Sequence, residues 1–177
     1  MNICVFCSSS DNLAPEYLES GYKIGQLMAN AGHTLVFGGY TKGIMGAVAT
    51  GVRDNGGNVI SVIPAIFNGK RPNFETGAHV ILTDTMSSRK NKMIELSDAF
   101  ISLPGGIGTF DELFQMLAMN VAGETSKPIA ILMQGKTQLA LRQLLETAEK
   151  EGLIRNKIDD IVGFCETPEA VLAYLEK

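Results

Sequence analysis

The stretch "SLPGGIGTFDELF", Ser102 to Phe114, sets Gly105, Gly106 and Gly108 within four residues and follows them with two carboxylates, Asp111 and Glu112. A glycine-rich turn that opens a helix lets backbone N–H groups approach an anion closely. A carboxylate beside that anion repels it. The acids are therefore either plain complements of a helix N-terminus or one of them does chemistry next to a bound phosphate. A second stretch, "TMSSRKNKMIELS" from Thr85 to Ser97, supplies opposite charge. On a helix, Met86, Met93, Ile94, Leu96 and Ser97 fall on one side, and Arg89 and Lys90 straddle it, while Lys92 and Glu95 point away. Cations beside an apolar stripe are costly without a counter-charge. They either snorkel to water or reach an anionic ligand, for which the planar fork of arginine is suited.

The helix after the glycine turn carries Phe110, Leu113, Phe114, Leu117, Ala118 and Val121 at i, i+3, i+4, i+7, i+8 and i+11. That spacing predicts one apolar stripe facing a sheet. Glu112 then falls on the other side, in line with Met116 and Met119. A second apolar row should not stay in water, so a partner subunit is expected to cover it and close the space around Glu112.

These residues need a scaffold, and short apolar runs alternating with helical patterns supply one. Strands are expected at about Asn2–Cys7, Thr34–Gly38, Asn58–Ile63, His79–Thr83, Ala99–Leu103 and Pro128–Met133. Helices are expected at about Pro15–Ala31, Gly43–Asn55, Thr85–Ser97, Gly108–Ala122 and Thr137–Glu151, with a last strand near Ile161–Phe164 and a helix over Pro168–Glu176. Val/Ile-rich strands alternating with helices predict an α/β fold, a doubly wound parallel sheet with helices on both faces, in a single domain over residues 1–177. The stretch "AIFNGKRPNFETG", Ala65 to Gly77, is the least regular piece and is expected to be a mobile loop. In such sheets the ligand sits beyond the carboxyl ends of the strands, where strand order reverses. Three small-residue loops follow strands there: "CSSS" with Ser8, "GGYTKGIMG" with Gly39, and "PGGIGT" with Ile107 and Thr109. None carries the G-x-G-x-x-G fingerprint on the first turn or the G-x-x-x-x-G-K-[ST] of a Walker loop, which argues against NAD binding and ATP hydrolysis. Three such loops on one rim favour a phosphate or nucleotide site over three unrelated tight turns.

The chain has 177 residues, 45% apolar and 19% charged, with a net charge of −4. No basic stripe is present, which argues against nucleic-acid binding. No apolar run approaches the roughly 18 residues of a membrane span. The chain starts on a strand-like run with no charged leader, so no export signal is expected. Three cysteines fit a reduced, cytoplasmic protein. Cys4 and Cys7 have C-x-x-C spacing, but three residues apart on a strand puts them on opposite faces. Two histidines without ligand spacing give no zinc site, and neither a metal nor another cofactor is expected.

"PGGIGTFDE" matches a P-G-G-x-G-T-x-x-E signature, and "MSSRKNKM" is similar to M-H-x-R-K-x-x-M. With "ICVFCSSS" and "VFGGYTKGIMG", in order along almost the whole chain, the sequence resembles the LOG-like proteins, cytokinin riboside 5'-monophosphate phosphoribohydrolases long labelled "possible lysine decarboxylase". The resemblance implies a Rossmann-like fold, a homodimer, and hydrolysis of the N-glycosidic bond of an adenosine-type 5'-monophosphate to free base and ribose 5-phosphate. It implies Arg89 and Glu112 as the catalytic pair, with substrate or phosphate contacts from Gly105, Gly106, Ile107, Gly108 and Thr109 and, around them, Ser8, Gly39, Met86 and Lys90. Arg89 either pairs with the phosphate or orients Glu112. The family's histidine after Met is Ser87 here, its first glutamate of two is Asp111, the third glycine of its Y-G-G-G loop is Tyr40, and its tryptophan falls at Met119. These departures spare the pair and leave the preferred purine base open. No lysine stands out as a Schiff-base site for a decarboxylase. The rival reading is a non-catalytic nucleotide carrier of the same fold.

Overall fold

In the computed structural model, which describes residues 1–70, 72–74 and 77–177, seven parallel strands form one sheet in the order β4-β3-β2-β1-β5-β6-β7. The strands are β1 (Asn2–Phe6), β2 (Thr34–Phe37), β3 (Asn58–Pro64), β4 (Ala78–Thr83), β5 (Ala99–Ser102), β6 (Ile129–Leu132) and β7 (Gly163–Cys165). The helices are α1 (Pro15–Asn30), α2 (Gly43–Asp54), α3 (Met86–Leu96), α4 (Ile107–Ala122), α5 (Gly135–Lys150), α6 (Ile158–Ile161) and α7 (Pro168–Leu175). The doubly wound parallel sheet expected from the alternation is therefore present, with register such as Val5↔Ile101 between β1 and β5.

Alternation along each strand splits the core in two, because successive side chains point to opposite faces. Ile3 and Val5 of β1 join Ile24, Met28 and Val48 of α1 and α2 on one face, with Val171 and Leu175 of α7. Cys4 and Phe6 join Met93, Leu113, Met116 and Leu141 of α3, α4 and α5 on the other. Cys4 and Cys7 accordingly belong to different faces, and all three cysteines are free and buried. Strand order reverses at β1, with β2 on one side and β5 on the other. The chain leaves the carboxyl ends of β1 and β5 side by side, and that is where the "CSSS" and "PGGIGT" loops meet.

Two expectations need correction. The Ala65–Gly77 stretch opens with a 3-10 turn, Ala65–Phe67. It is also anchored: buried Phe74 donates its N–H to the Gly39 carbonyl at 2.7 Å and accepts from Ser61 Oγ at 2.8 Å. Arg71, Glu75 and Thr76 of that stretch lie outside the described residues. The second correction concerns α4. Its buried residues are Thr109, Glu112, Leu113, Met116 and Leu117. Phe114 and Val121 are exposed, at 39% and 44%. The stripe that meets the core is thus rotated by about a quarter-turn from the expected one, since adjacent helix positions differ by about 100°. Met116 is wholly buried in its own chain and Met119 is half-buried, so this row is not an open face awaiting a partner. Hydropathy misplaced the stripe because its leading positions, Thr109 and Glu112, are polar, and the burial of Glu112 depends on a partner from another helix.

Among the described residues no helix is long and apolar enough to cross a membrane, and no group of three or more His, Cys, Asp or Glu side chains could hold a metal ion.

Candidate active site

Three loops close on one another beyond the sheet. Ser8 donates its N–H to the Pro104 carbonyl at 3.0 Å, and Met45 donates its N–H to the Ser8 carbonyl at 3.1 Å. These bonds join the loop after β1 to the glycine turn after β5 and to the first turn of α2. Between them lies a cavity of about 370 Å³. Its polar walls are Ser8, Ser9, Ser10, Arg89, Gly106, Gly108, Thr109 and Glu112, and its apolar walls are Cys7, Met45, Phe67 and Met86.

The glycine turn opens α4 with Gly106 as its N-cap and no side chain capping it. The first N–H groups of a helix lack intrahelical partners, and here no side chain caps them; the turn itself is uncrowded, with nothing within 4 Å of where a side chain at Gly106 or Gly108 would begin. Such an end attracts an anion through its N–H groups and the helix dipole. Gly105 has a different reason to be glycine. A Cβ there would collide with the Thr109 side chain, which is buried beneath the turn. Gly105 shapes the turn without lining the cavity.

Glu112 and Arg89 meet inside. Arg89 Nη1 donates to Glu112 Oε1 at 3.1 Å, and Arg89 Nε donates to the Val62 carbonyl at 3.1 Å. Arg89 is 5% exposed and Glu112 8%. Thr85 starts α3 with a capping box, its side chain accepting from Ser88 N–H, which fixes the helix one turn before Arg89. Burial pushes the Glu112 carboxyl above its ordinary value, opposed by Arg89 and aided by the neighbouring negative charge of Asp111. A carboxylate of raised pKa is a stronger base than a surface one. The Cys7 thiol, on the cavity wall, is pushed far up by burial and then by Glu112, so it stays protonated and is no nucleophile.

The other residues proposed from sequence divide. Ser8, Met86, Gly106, Gly108 and Thr109 line the same cavity as the pair. Lys90, Ile107 and Gly39 do not. Lys90 turns outward and donates to both Asp111 carboxylate oxygens, at 2.9 and 2.7 Å. Asp111 is thereby an ion-pair partner on the outer side of the two helices. Ile107 is 85% exposed and borders, with Lys90 and Asp111, a separate groove between α3 and α4. Gly39 has φ of +75° and holds a turn, its carbonyl engaged by Phe74. Met45 and Phe67, which also line the cavity, were missed. Met45 could have been found by the argument applied to Glu112, since it also follows a glycine loop into a helix. Phe67 carries no signal, as it sits on a 3-10 turn without periodicity.

Residues 45–175 match the family described as "possible lysine decarboxylase". A protein of Oryza sativa subsp. japonica described as a probable cytokinin riboside 5'-monophosphate phosphoribohydrolase is 34% identical over 175 residues, 99% of this chain and 72% of that protein. An Arabidopsis thaliana protein described as a cytokinin riboside 5'-monophosphate phosphoribohydrolase is 33% identical over 175 residues, 99% of this chain and 81% of its own. Among solved structures, a molybdenum cofactor binding protein from the phototrophic bacterium Rippkaea orientalis superposes with a TM-score of 0.73 at 22% identity, covering 99% of this chain and 94% of that one. The moco carrier protein of Chlamydomonas superposes with a TM-score of 0.73 at 20% identity, over 99% and 94%. At such identities these two structures speak for the fold alone. With near-complete coverage by relatives above 30% identity and a family match over most of its length, the chain belongs to the LOG family, which carries the description "possible lysine decarboxylase".

Proposed function

We propose that the chain is a nucleoside 5'-monophosphate phosphoribohydrolase. It hydrolyses the N-glycosidic bond of AMP or an N6-substituted AMP, such as a cytokinin riboside 5'-monophosphate, to free base and ribose 5-phosphate. The observation that carries this reading is the buried Arg89–Glu112 pair lining the same cavity as the uncapped N-terminus of α4. The helix end takes the 5'-phosphate, with Gly106, Gly108 and Thr109 presenting backbone and Ser8 closing the opposite wall. The ribose then lies along α4, over Glu112 one turn in. Breaking a ribosyl C–N bond builds positive charge at C1' and the ring oxygen. The Glu112 carboxylate stabilises that charge and takes a proton from the attacking water. The water oxygen bonds to C1', the C–N electron pair leaves with the base, and the base takes up one proton from solvent as Glu112 gives back the one it took.

The buried pairing favours an orienting role for Arg89 over direct contact with phosphate, since Nε and Nη1 are both engaged within the protein. The apolar wall of Met45, Phe67 and Met86 suits the flat face of a purine. The reading also includes a cytoplasmic homodimer. Its contact is moved from Met116 and Met119 to Phe114, Val121 and Leu153, which line an exposed groove of about 520 Å³ between α4, α5 and α6. Light scattering at micromolar concentration should give twice the chain mass, and a monomer would remove this element of the reading.

The test is direct. The purified protein is incubated with a panel of nucleoside monophosphates, nucleosides and nucleoside diphosphates, and released base is followed by chromatography. Base should appear from 5'-monophosphates alone. Binding of monophosphates with no release from any of them would replace the enzyme by the carrier reading.

A further inference from the structure

The two consecutive glycines after β2 are glycine for different reasons. Gly39 has φ of +75°, a conformation that side chains rarely tolerate. Gly38 is not among the residues with positive φ, so its backbone would accept alanine. What excludes a side chain at Gly38 is contact. A Cβ built there overlaps Arg89 Nη2 and reaches Cζ at 3.0 Å. The other neighbour, Met45 Cε at 3.3 Å, is the end of a flexible chain and gives way. The guanidinium cannot give way freely, because it is buried and held by the Val62 carbonyl on Nε and by Glu112 on Nη1. The absent side chain, the strand carbonyl and the carboxylate thus enclose one guanidinium on three sides.

We infer that Gly38 is a positioning residue for the proposed reaction: its missing side chain is the recess that holds the Arg89 guanidinium in the plane from which it orients Glu112. The inference rests on the proposed role of Glu112 for its effect on turnover, but its geometric content does not. A methyl at residue 38 drives Nη2 out of the recess. The guanidinium then turns or shifts, the bond to Glu112 Oε1 is lost or lengthened, and the carboxylate loses both its orientation and its nearest counter-charge. Among the described residues, the other charged and titratable groups around Glu112 are Lys90 on α3, Asp111 on α4, and the Cys4 and Cys7 thiols of β1 and its following loop. None can replace Arg89: Lys90 is tied to Asp111, and the thiols are neutral.

The experiment uses four proteins: the parent, Gly38→Ala, Arg89→Lys, and the double variant. Two quantities are read for each, namely base release from AMP and the titration of Glu112, followed by carbon NMR of protein labelled at the glutamate carboxyl. Gly38→Ala should lower kcat roughly 10²-fold, the scale of a small misplacement of a catalytic group. It should also move the Glu112 titration to higher pH, as expected when a cation withdraws. Lysine has no Nη2. In the Arg89→Lys background the same Gly38→Ala change should therefore alter either quantity by less than about twofold, a non-additivity expected of groups in contact. Equal losses in both backgrounds, or an unmoved titration in Gly38→Ala, would overturn the inference. If Gly38→Ala does not fold but the double variant does, the collision is confirmed; if both fail, the backbone requires glycine and the inference falls. If no protein releases base from any nucleotide while the titration still moves as described, the proposed reaction falls and the positioning role stands.

Discussion

Two ion pairs join the same two helices one residue apart. Arg89 with Glu112 and Lys90 with Asp111 each link α3 to α4, at 3.1 and 2.7 Å. The shorter pair is the more exposed: Lys90 and Asp111 side chains are 19% and 57% accessible, against 6% and 10% for Arg89 and Glu112. Adjacent helix positions differ by about 100° in direction, so one pair turns into the cavity and the other onto the outer groove. Distance is a poor guide to consequence here. An exposed pair is screened by water and contributes little, while a buried one has lost its hydration and fails badly when one partner is removed. The buried pair also shares its cavity with the uncapped end of α4, which the outer pair does not.

The largest expected effect comes from Glu112→Gln. The amide keeps the shape and an oxygen to accept from Arg89, but it cannot take a proton from water and offers no net charge to a forming cation. Base release should fall about 10²–10⁴-fold. AMP should bind as well as before or more tightly, because repulsion between carboxylate and phosphate is relieved. Calorimetry and product chromatography on the same preparation check both halves. Turnover at the parent rate would remove Glu112 from the chemistry and with it the functional contrast between the two pairs.

Arg89→Ala ranks next. Turnover should fall roughly 10²-fold as Glu112 loses its orientation, and stability should fall by about 3–5 kcal/mol near neutral pH, the cost of leaving one partner of a buried pair alone. The pH dependence has a definite sign. The folded-state pKa of Glu112 is already raised, and losing Arg89, which lowers it, raises it further. A carboxyl with a folded pKa above its unfolded value favours the folded state fully below the unfolded pKa, and that contribution is lost as pH rises through the folded value. Urea denaturation should therefore find the deficit of Arg89→Ala smallest in acid, where Glu112 is protonated, and growing toward neutrality. A deficit independent of pH would mean that the variant loses packing and not a charge partner.

The sequence made much of this contrast legible and misassigned part of it. The sheet was readable because parallel strands buried on both faces are continuous Val/Ile runs, as in "LVF" of β2 and "NVISVI" of β3. The rim loops were readable because glycine and serine cluster in the turns that follow β1 and β5 and line the cavity. The facing of α4 was not, because a hydropathy stripe assigns Thr109 and Glu112 to water, and only Arg89 on another helix makes burial of Glu112 tolerable. Lys90 and Arg89 looked equivalent for the same reason, since their acids are adjacent too. The pair Gly38-Gly39 hid its division of labour: nothing in two identical letters tells which one takes positive φ and which makes room for a guanidinium. The four-residue helix α6 is about one turn long, too short to show a period.

A smaller effect sharpens the comparison through pH. If the ionised Glu112 carboxylate is required, the rate should rise with pH through its folded pKa, which burial places above the ordinary carboxylate value of 4.5. The acidic limb of kcat/KM for AMP hydrolysis, which reports groups of the free enzyme, should accordingly lie above that value in the parent and be absent in Glu112→Gln. A limb at the ordinary value would assign the titration to an exposed acid instead.

Asp111→Asn should have the smallest effect, and it is the variant that gives the others their meaning. Asp111 is 57% accessible at its side chain, and its partner Lys90 borders an open groove into which the ammonium can turn for hydration. Stability should change by no more than about 0.5 kcal/mol, the usual range for an exposed pair. Turnover on AMP at neutral pH should stay within about twofold of the parent, since Asp111 does not line the cavity. One trace should remain. The negative charge of Asp111 helps hold the Glu112 carboxyl up, so its removal should move the acidic limb of the pH–rate profile downward while leaving the plateau in place. A low plateau would mean that the outer pair takes part in catalysis and that burial does not separate the two. A displaced limb on an unchanged plateau is the signature of a neighbour that Glu112 feels only through its field.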